Sequence, residues 1–192
     1  MHTLIAILFR LVLSSTQCSV QKIIKLTSVF ETSSQTLNYS VCGDIGDGNG
    51  YSAGIIQFTT TSGSAQDVID YYNQIDPQSE FSGLDTHSSV GLGSLPGFCQ
   101  TWAKCSSDSR FQKAQLRQLV TLYFEPAFKL ASTNGFTNWV SIGQIYDSCV
   151  QLGIEGTTAL LGKLHAGNQP ESDRIGMFID ARAAQLNVSL IE

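Results

Sequence analysis

Apolar positions in this chain recur mostly at helical spacing. Ile23, Leu26 and Phe30 predict a helix over about Val20–Thr36, with Glu31 beside its apolar face near the C-terminal end. Ala65–Ile75 reads as a second helix. Asp108–Ala131 holds the longest helical pattern, with Phe111, Ala114, Leu119, Leu122 and Tyr123 on its buried side. Pro126 lacks an N–H and should kink that helix or split it. Asn134-Gly135 is a stop signal. Trp139–Leu152 is the next helix, ended by Gly153, and shorter ones follow at about Thr157–His165 and Ser172–Leu186. Tyr51–Thr60 is rich in aromatic, β-branched and Thr residues and predicts a strand that pairs with a neighbour in a small sheet. Asp76–Pro96 carries many Gly, Ser, Asp and Pro residues and predicts a long loop, the best candidate for a lobe boundary or a cleft wall. The pattern is α+β, mainly α with one small β patch, and contains no internal repeat.

The N-terminal pattern differs. Leu4–Leu13 is apolar apart from Arg10, and small or polar residues follow. This layout predicts a signal peptide over residues 1–18 and a secreted, extracellular protein whose catalytic domain is residues 19–192. The run is too short to span a bilayer, and no later run is long enough, so no membrane contact is expected after cleavage. A length of 192 residues suits one domain, or one domain built as two lobes around a cleft. A net charge of −5 offers no basic face for phosphates, so a nucleic-acid partner is not expected. A monomer is.

Removal of Cys18 with the signal would leave Cys42, Cys99, Cys105 and Cys149, an even number suited to an oxidising compartment. Cys99 and Cys105 are close enough in sequence for a local bridge, which would leave Cys42 with Cys149. Spacing alone does not fix the connectivity. No CxxC pair exists and the histidines are only His2, His87 and His165, so no zinc site or other metal is expected. Asn38-Tyr39-Ser40 and Asn187-Val188-Ser189 are glycosylation triplets that fit a secreted chain.

The chemistry-bearing stretch is CGDIGDGNGYSAG, Cys42 to Gly54. Placing Asp47, Asn49 and Gly50 at positions three, five and six of a calcium loop puts Ile45 at its first position and Ile56 at its twelfth, where acids are needed. A dinucleotide loop should open a helix, but YSAGIIQFTTT follows and is strand-like. No Gly-Lys-Ser/Thr is present for a nucleotide phosphate. A solvated glycine-rich turn is what these residues alone support, with Glu31 as a helix-surface acid.

The longer stretch SVFETSSQTLNYSVCGDIGDGNGYSAGIIQF resembles the catalytic segment of the chitosanases of glycoside hydrolase family 46. The resemblance continues in order through Leu95-Pro96-Gly97-Phe98, Trp102, Phe111-Gln112-Lys113-Ala114-Gln115, Tyr123-Phe124-Glu125-Pro126-Ala127, Tyr146-Asp147 and Phe178-Ile179-Asp180-Ala181-Arg182. It implies a lysozyme-like fold with a substrate cleft between two mainly helical lobes. It also implies an inverting endo-hydrolase of β-1,4-linked glucosamine polymer that needs no cofactor.

By that resemblance Glu31 is the general acid, Asp47 the general base, and Ser52 the hydroxyl that orients the attacking water. Ser33 matches a sugar contact, and Asp147 with Arg182 matches a buried ion pair supporting the acid. The chemistry needs such a pair: one carboxyl protonates the leaving oxygen while the other activates water from the opposite face. A helix acid against apolar side chains has its pKa raised by desolvation, and the helix C-terminus pushes the same way. Asp44, Asn49, Tyr51 and Ser62 complete the candidate sugar-binding set. Trp102 and Trp139 are expected in the core.

Departures bear on substrate more than on chemistry. Asn49 stands where the family has Arg, Ser64 where it has an ammonium-binding Asp, and Val41 where it has an aromatic residue. The basic segment between Asp147 and Arg182 is short, and a second Arg of the ion network has no match. Two further readings therefore stay open: a lysozyme-like hydrolase of partly acetylated chitosan or peptidoglycan, and a non-catalytic glycan-binding protein of the same fold.

Overall fold

The computed structural model describes residues 19–29, 36–44, 46, 50–82, 96–164 and 169–189. In chain order these form helix α1 (residues 19–29), strands β1 (Cys42–Asp44), β2 (Tyr51–Ala53) and β3 (Phe58–Thr59), and helices α2 (Ser64–Ile75), α3 (Phe98–Cys105) and α4 (Ser109–Leu119). A π-helical turn, Val120–Phe124, leads to α5 (Glu125–Thr133), then α6 (Trp139–Gly162) and α7 (Glu171–Ser189). The architecture is α+β and mostly helical, with one three-stranded antiparallel sheet in the order β1-β2-β3. The chain forms two compact units. One runs from Leu37 to Leu122; the other comprises residues up to Thr36 and from Tyr123 onward.

In the Leu37–Leu122 unit the core is aromatic. Trp102 is fully buried, with the ring of Phe111 edge-on at 4.8 Å between centroids and Phe58, Phe81 and Phe98 around it. α2 presents Ala65, Val68, Ile69 and Tyr72 to this core at helical spacing. α4 is capped by Asp108, whose carboxylate accepts from the Arg110 N–H at 2.8 Å. The Tyr72 hydroxyl donates to the same carboxylate at 2.9 Å and so ties α2 to α4.

Several expectations are corrected. The strand expected over Tyr51–Thr60 is two short strands. Gly54 at φ 74° and Gln57 at φ 57° turn the chain between them, and the apolar Ile55-Ile56 that read as strand lies in that turn. α1 buries Ile23, Ile24 and Thr27, whereas Leu26 is 56% exposed. The spacing of 23, 24 and 27 is equally helical, so periodicity alone admitted either face. Thr36 is not helical, and Phe30 lies outside the described residues.

The long pattern over Asp108–Ala131 is divided ahead of Pro126, which sits at the start of α5 directly after a π-helical turn that already interrupts the α-helical ladder. The π-helical turn before it holds an extra residue, which carries the side chains round by about 100°. Phe111, Ala114 and Leu119 are buried as expected, but Leu122 is exposed and Tyr123 half-buried. Gly153 breaks α6 at φ 71°, ψ 169°, and helix resumes at once. The Thr157 hydroxyl donates to the Gly153 carbonyl at 2.9 Å and pairs with the buried Ser148 hydroxyl at 3.0 Å, so polar groups freed by the break are bonded.

The bridge is Cys42–Cys99, and Cys105 and Cys149 are free and buried. The local Cys99–Cys105 bridge fails because both lie on α3. Six residues of helix separate their backbones by roughly 9 Å, beyond the ~7 Å a disulfide spans. Burial pushes the Cys105 thiol up to about 11.

α7 begins at a carboxylate clasp. Glu171 accepts from the Asn138 N–H at 2.8 Å, the Thr137 N–H at 3.1 Å and the Thr137 hydroxyl at 2.9 Å. Burial alone would raise its pKa. The Asn138 N–H, the Ser141 hydroxyl and the two Thr137 donors outweigh that and hold it at about 2. The hydrogen bonds and charge of Arg110 hold Asp108 well below the usual carboxylate range. Both folded values lie below the unfolded ones near 4, so their stabilisation is full above the unfolded pKa and lost as pH falls through the folded value. Thermal unfolding followed by circular dichroism should show a midpoint that drops between roughly pH 4 and pH 2, and Glu171→Gln should flatten part of that drop.

Candidate active site

The hairpin of β1 and β2 carries the stretch singled out in the sequence. Its register pairs Cys42 with Ala53, Gly43 with Ser52 and Asp44 with Tyr51. Ser52 also pairs with Thr59 of β3, which places it in the central strand, where it is 4% exposed. Asp44 ends β1, and its Oδ1 accepts from the Gly46 N–H at 2.8 Å, which turns the chain into the loop. Asp47 and Asn49 lie outside the described residues, as do Glu31 and Ser33.

Tyr51 is half-buried and stacks on Phe98 with centroids 5.6 Å apart, so one ring face is already covered. The Ser62 hydroxyl is engaged locally, 2.6 Å from Thr59 Oγ1 and 2.9 Å from Ser64 Oγ. Ser64 accepts from the Thr59 N–H at 2.9 Å. These hydroxyls join β3 to the start of α2, which opens without a side-chain cap of its own. Trp102 is a core residue, as expected; Trp139 is not, being half-buried at the start of α6, where it stacks on Phe128 and lines a cavity.

The hairpin is held from behind by α3 and α4. Gln115 is fully buried; its Oε1 accepts from the Ile55 N–H at 3.2 Å and its Nε2 donates to the Tyr39 carbonyl at 3.0 Å. The Trp102 indole N–H donates to that same carbonyl at 3.0 Å. A Cβ on Gly54 would stand 2.3 Å from Gln115 Oε1 and 2.9 Å from Trp102 Cζ2, and the residue has φ 74°. Gly54→Ala should therefore cost about 3 kcal/mol from backbone strain and overpacking together, read as a lowered urea midpoint at unchanged m-value.

Asp147 on α6 and Arg182 on α7 are paired, with Nη2 to Oδ2 at 2.5 Å. Arg182 is 8% exposed and also donates to Gln151 Oε1 at 2.6 Å. Asp147 Oδ1 and Arg182 Nε are buried and have no hydrogen-bond partner among the described residues. A cavity of about 640 Å³ within the same unit is lined by these two residues and Gln151 together with Ile23, Leu26 and Val140. The sequence assigns no role to Gln115, which enters only as the last residue of the Phe111–Gln115 motif, and does not single out Gln151. Gln115 sits on the apolar stripe of Phe111 and Ala114, and a polar residue in a buried stripe is a signal for a structural hydrogen bond. Gln151 lies four residues after Asp147, on the same helix face.

The model of glycosyl hydrolase family 46 matches residues 25–187. A chitosanase of Bacillus subtilis (strain 168) is 29% identical over 136 residues, which covers 67% of this chain and 49% of that protein. A chitosanase of Streptomyces sp. (strain N174) is 28% identical over 170 residues, or 77% of this chain and 59% of that one. The chain thus spans about half the length of the curated relatives it matches. Among solved structures, a mutant chitosanase from Bacillus subtilis MY002 complexed with 6 GlcN superposes with a TM-score of 0.69 at 25% identity, covering 88% of this chain and 77% of that one. A chitosanase of Gynuella sunshinyii in complex with chitotetraose gives 0.67 at 23% identity, over 85% and 75% of the two chains, a likeness of fold. The α+β, lysozyme-like fold class is common to all three.

Proposed function

The chain belongs to glycosyl hydrolase family 46, and on that footing we propose that it is a chitosanase, an endo-acting hydrolase of β-1,4-linked glucosamine polymer working with inversion. The observation that carries this reading is the family match over residues 25–187, which runs through both acids, Glu31 and Asp47. Glu31 donates a proton to the leaving glycosidic oxygen. Asp47 takes a proton from the water that attacks the opposite face of the oxocarbenium-like centre, and the sugar leaves with inverted configuration. Ser52, in the central strand and little open to bulk solvent, is suited to hold that single water rather than a sugar ring. Asp147 and Arg182 act behind the acid as a supporting ion pair. Ser33, Asp44, Asn49, the open side of Tyr51 and Ser62 are the proposed sugar contacts. The protein is proposed to be secreted and monomeric; the Asn38 side chain is exposed, as a glycan acceptor must be.

A second reading has one observation in its favour. Ser64, which stands where the resemblance expects an ammonium-binding Asp, holds the Thr59 N–H and carries no charge. Tolerance of N-acetylated sugars is the corresponding variant of the function. The test is reducing-end release from fully deacetylated chitosan, half-acetylated chitosan, chitin and bacterial cell wall. Fastest release from deacetylated chitosan is the expected result. Faster release from the half-acetylated polymer or cell wall favours the second reading, and no release from any of them overturns both. Proton NMR of the first products reads the anomeric configuration: initial α-anomer marks inversion.

A further inference from the structure

We propose that Gln115 is a positioning residue for hydrolysis, a clamp that sets the hairpin bearing Ser52. The proposal rests on the chitosanase reading for its catalytic consequence and on geometry alone for the clamp. Gln115 is buried completely, and both ends of its amide are used on the two chain segments that flank the hairpin. Tyr39, whose carbonyl it holds, precedes β1; Ile55, whose N–H it holds, follows β2. Between those points the Gly54 N–H donates to the Val41 carbonyl at 2.7 Å and closes the open end of the hairpin. The clamp therefore grips the hairpin where its strands meet the rest of the unit.

Such a grip matters because the stretch it secures is rich in glycine. Gly46 and Gly50, at φ 74° and 68°, hold the left-handed backbone that favours glycine, and glycine brings no side chain to pin the turn. Hydrolysis by two carboxyl groups needs its base and water held within a fraction of an ångström, and a misplacement of about 1 Å can cost about 100-fold in rate. Gly54 admits the Gln115 amide by having no Cβ, so glycine and glutamine form one joint. The Cys42–Cys99 bridge anchors β1 separately to α3. Loss of the clamp should thus loosen the hairpin without unfolding the unit.

The experiment compares Gln115→Met, which keeps size and removes both hydrogen bonds, with Gln115→Glu, which keeps shape. In Gln115→Met, kcat on chitosan should fall roughly 10- to 100-fold with KM within about 3-fold of wild type, at a temperature where circular dichroism shows full folding. An ionised Gln115→Glu side chain accepts from Ile55 but repels the Tyr39 carbonyl; protonated, it regains a donor. Its deficit relative to wild type at the same pH should therefore shrink as pH falls. Amide hydrogen exchange at Ala53 and Gly54 should speed up at least about 10-fold in Gln115→Met while Val68 and Ile69 of α2 stay protected. A folded Gln115→Met with kcat within 2-fold of wild type, or a Gln115→Glu deficit constant with pH, overturns the positioning role. Should Gln115→Met not fold, Gln115→Glu decides by its pH profile. Exchange needs no substrate: unchanged exchange sinks the clamp, whereas an inactive wild type with faster exchange in the variant sinks only the chitosanase reading.

Discussion

Glu31→Gln should lower chitosan hydrolysis by roughly 100- to 10,000-fold, and Asp47→Asn should do the same, the range general acid–base groups supply. Each change keeps the side chain's size and removes its ability to exchange a proton. The leaving oxygen of an unactivated glycoside departs as an alkoxide unless protonated, so loss of the acid should fall mainly on kcat. Loss of the base leaves the attacking water neutral and should also fall on kcat. Asp44→Asn, at the end of β1, is the nearby control: its carboxylate already holds the Gly46 N–H, and its expected effect is a few-fold on KM. Reducing-end assays across substrate concentration separate these outcomes. Unchanged activity in both Glu31→Gln and Asp47→Asn would rule out the assignment of the two acids.

The second large effect is on stability. The Cys42–Cys99 bridge closes a loop with a sequence separation of 57 and joins β1 to α3. By loop-closure entropy a bridge of that span contributes about 4 kcal/mol. Double substitution by Ser, or reduction with a thiol, should lower the thermal midpoint by roughly 8–16 °C. The effect should be visible in activity as well, because β1 carries one arm of the hairpin. A midpoint within 2 °C of the oxidised wild type would show that packing of Phe98 and Trp102 holds α3 without the bridge. Comparing oxidised and reduced forms of one protein avoids any change in side-chain packing.

Periodicity was enough to read α2 and the helix before Gly153, because one buries Ala65, Val68, Ile69 and Tyr72 and the other Ile142, Ile145, Tyr146 and Cys149, each at helical spacing. It failed at α1, where Ile23, Ile24 and Leu26 admit two apolar faces and only packing chooses between them. It also failed at Ile55-Ile56, an apolar pair that packs from a turn rather than a strand. The candidate acids came from resemblance, since a lone helix Glu and a glycine-flanked Asp carry no signature of their own. Their partners were legible to different degrees. The Asp147–Arg182 pair was expected from the resemblance, and an Asp among apolar helix residues fits a paired acid. The role of Gln115 was not, because its hydrogen bonds go to main-chain groups 76 and 60 residues away.

What this sequence determined by itself is local. Glycine and proline positions set where the backbone turns, kinks or admits a neighbour, and helical stripes set which elements need a buried face. Tertiary structure alone decided the pairings. Cys42 meets Cys99 because the helical rise of α3 keeps Cys99 and Cys105 too far apart to join and brings β1 beside its first turn. Gln115 meets Tyr39 and Ile55 because Gly54, lacking a Cβ, leaves room for its amide there. Contacts between distant segments depend on three-dimensional approach, and one-dimensional spacing carries no term for it.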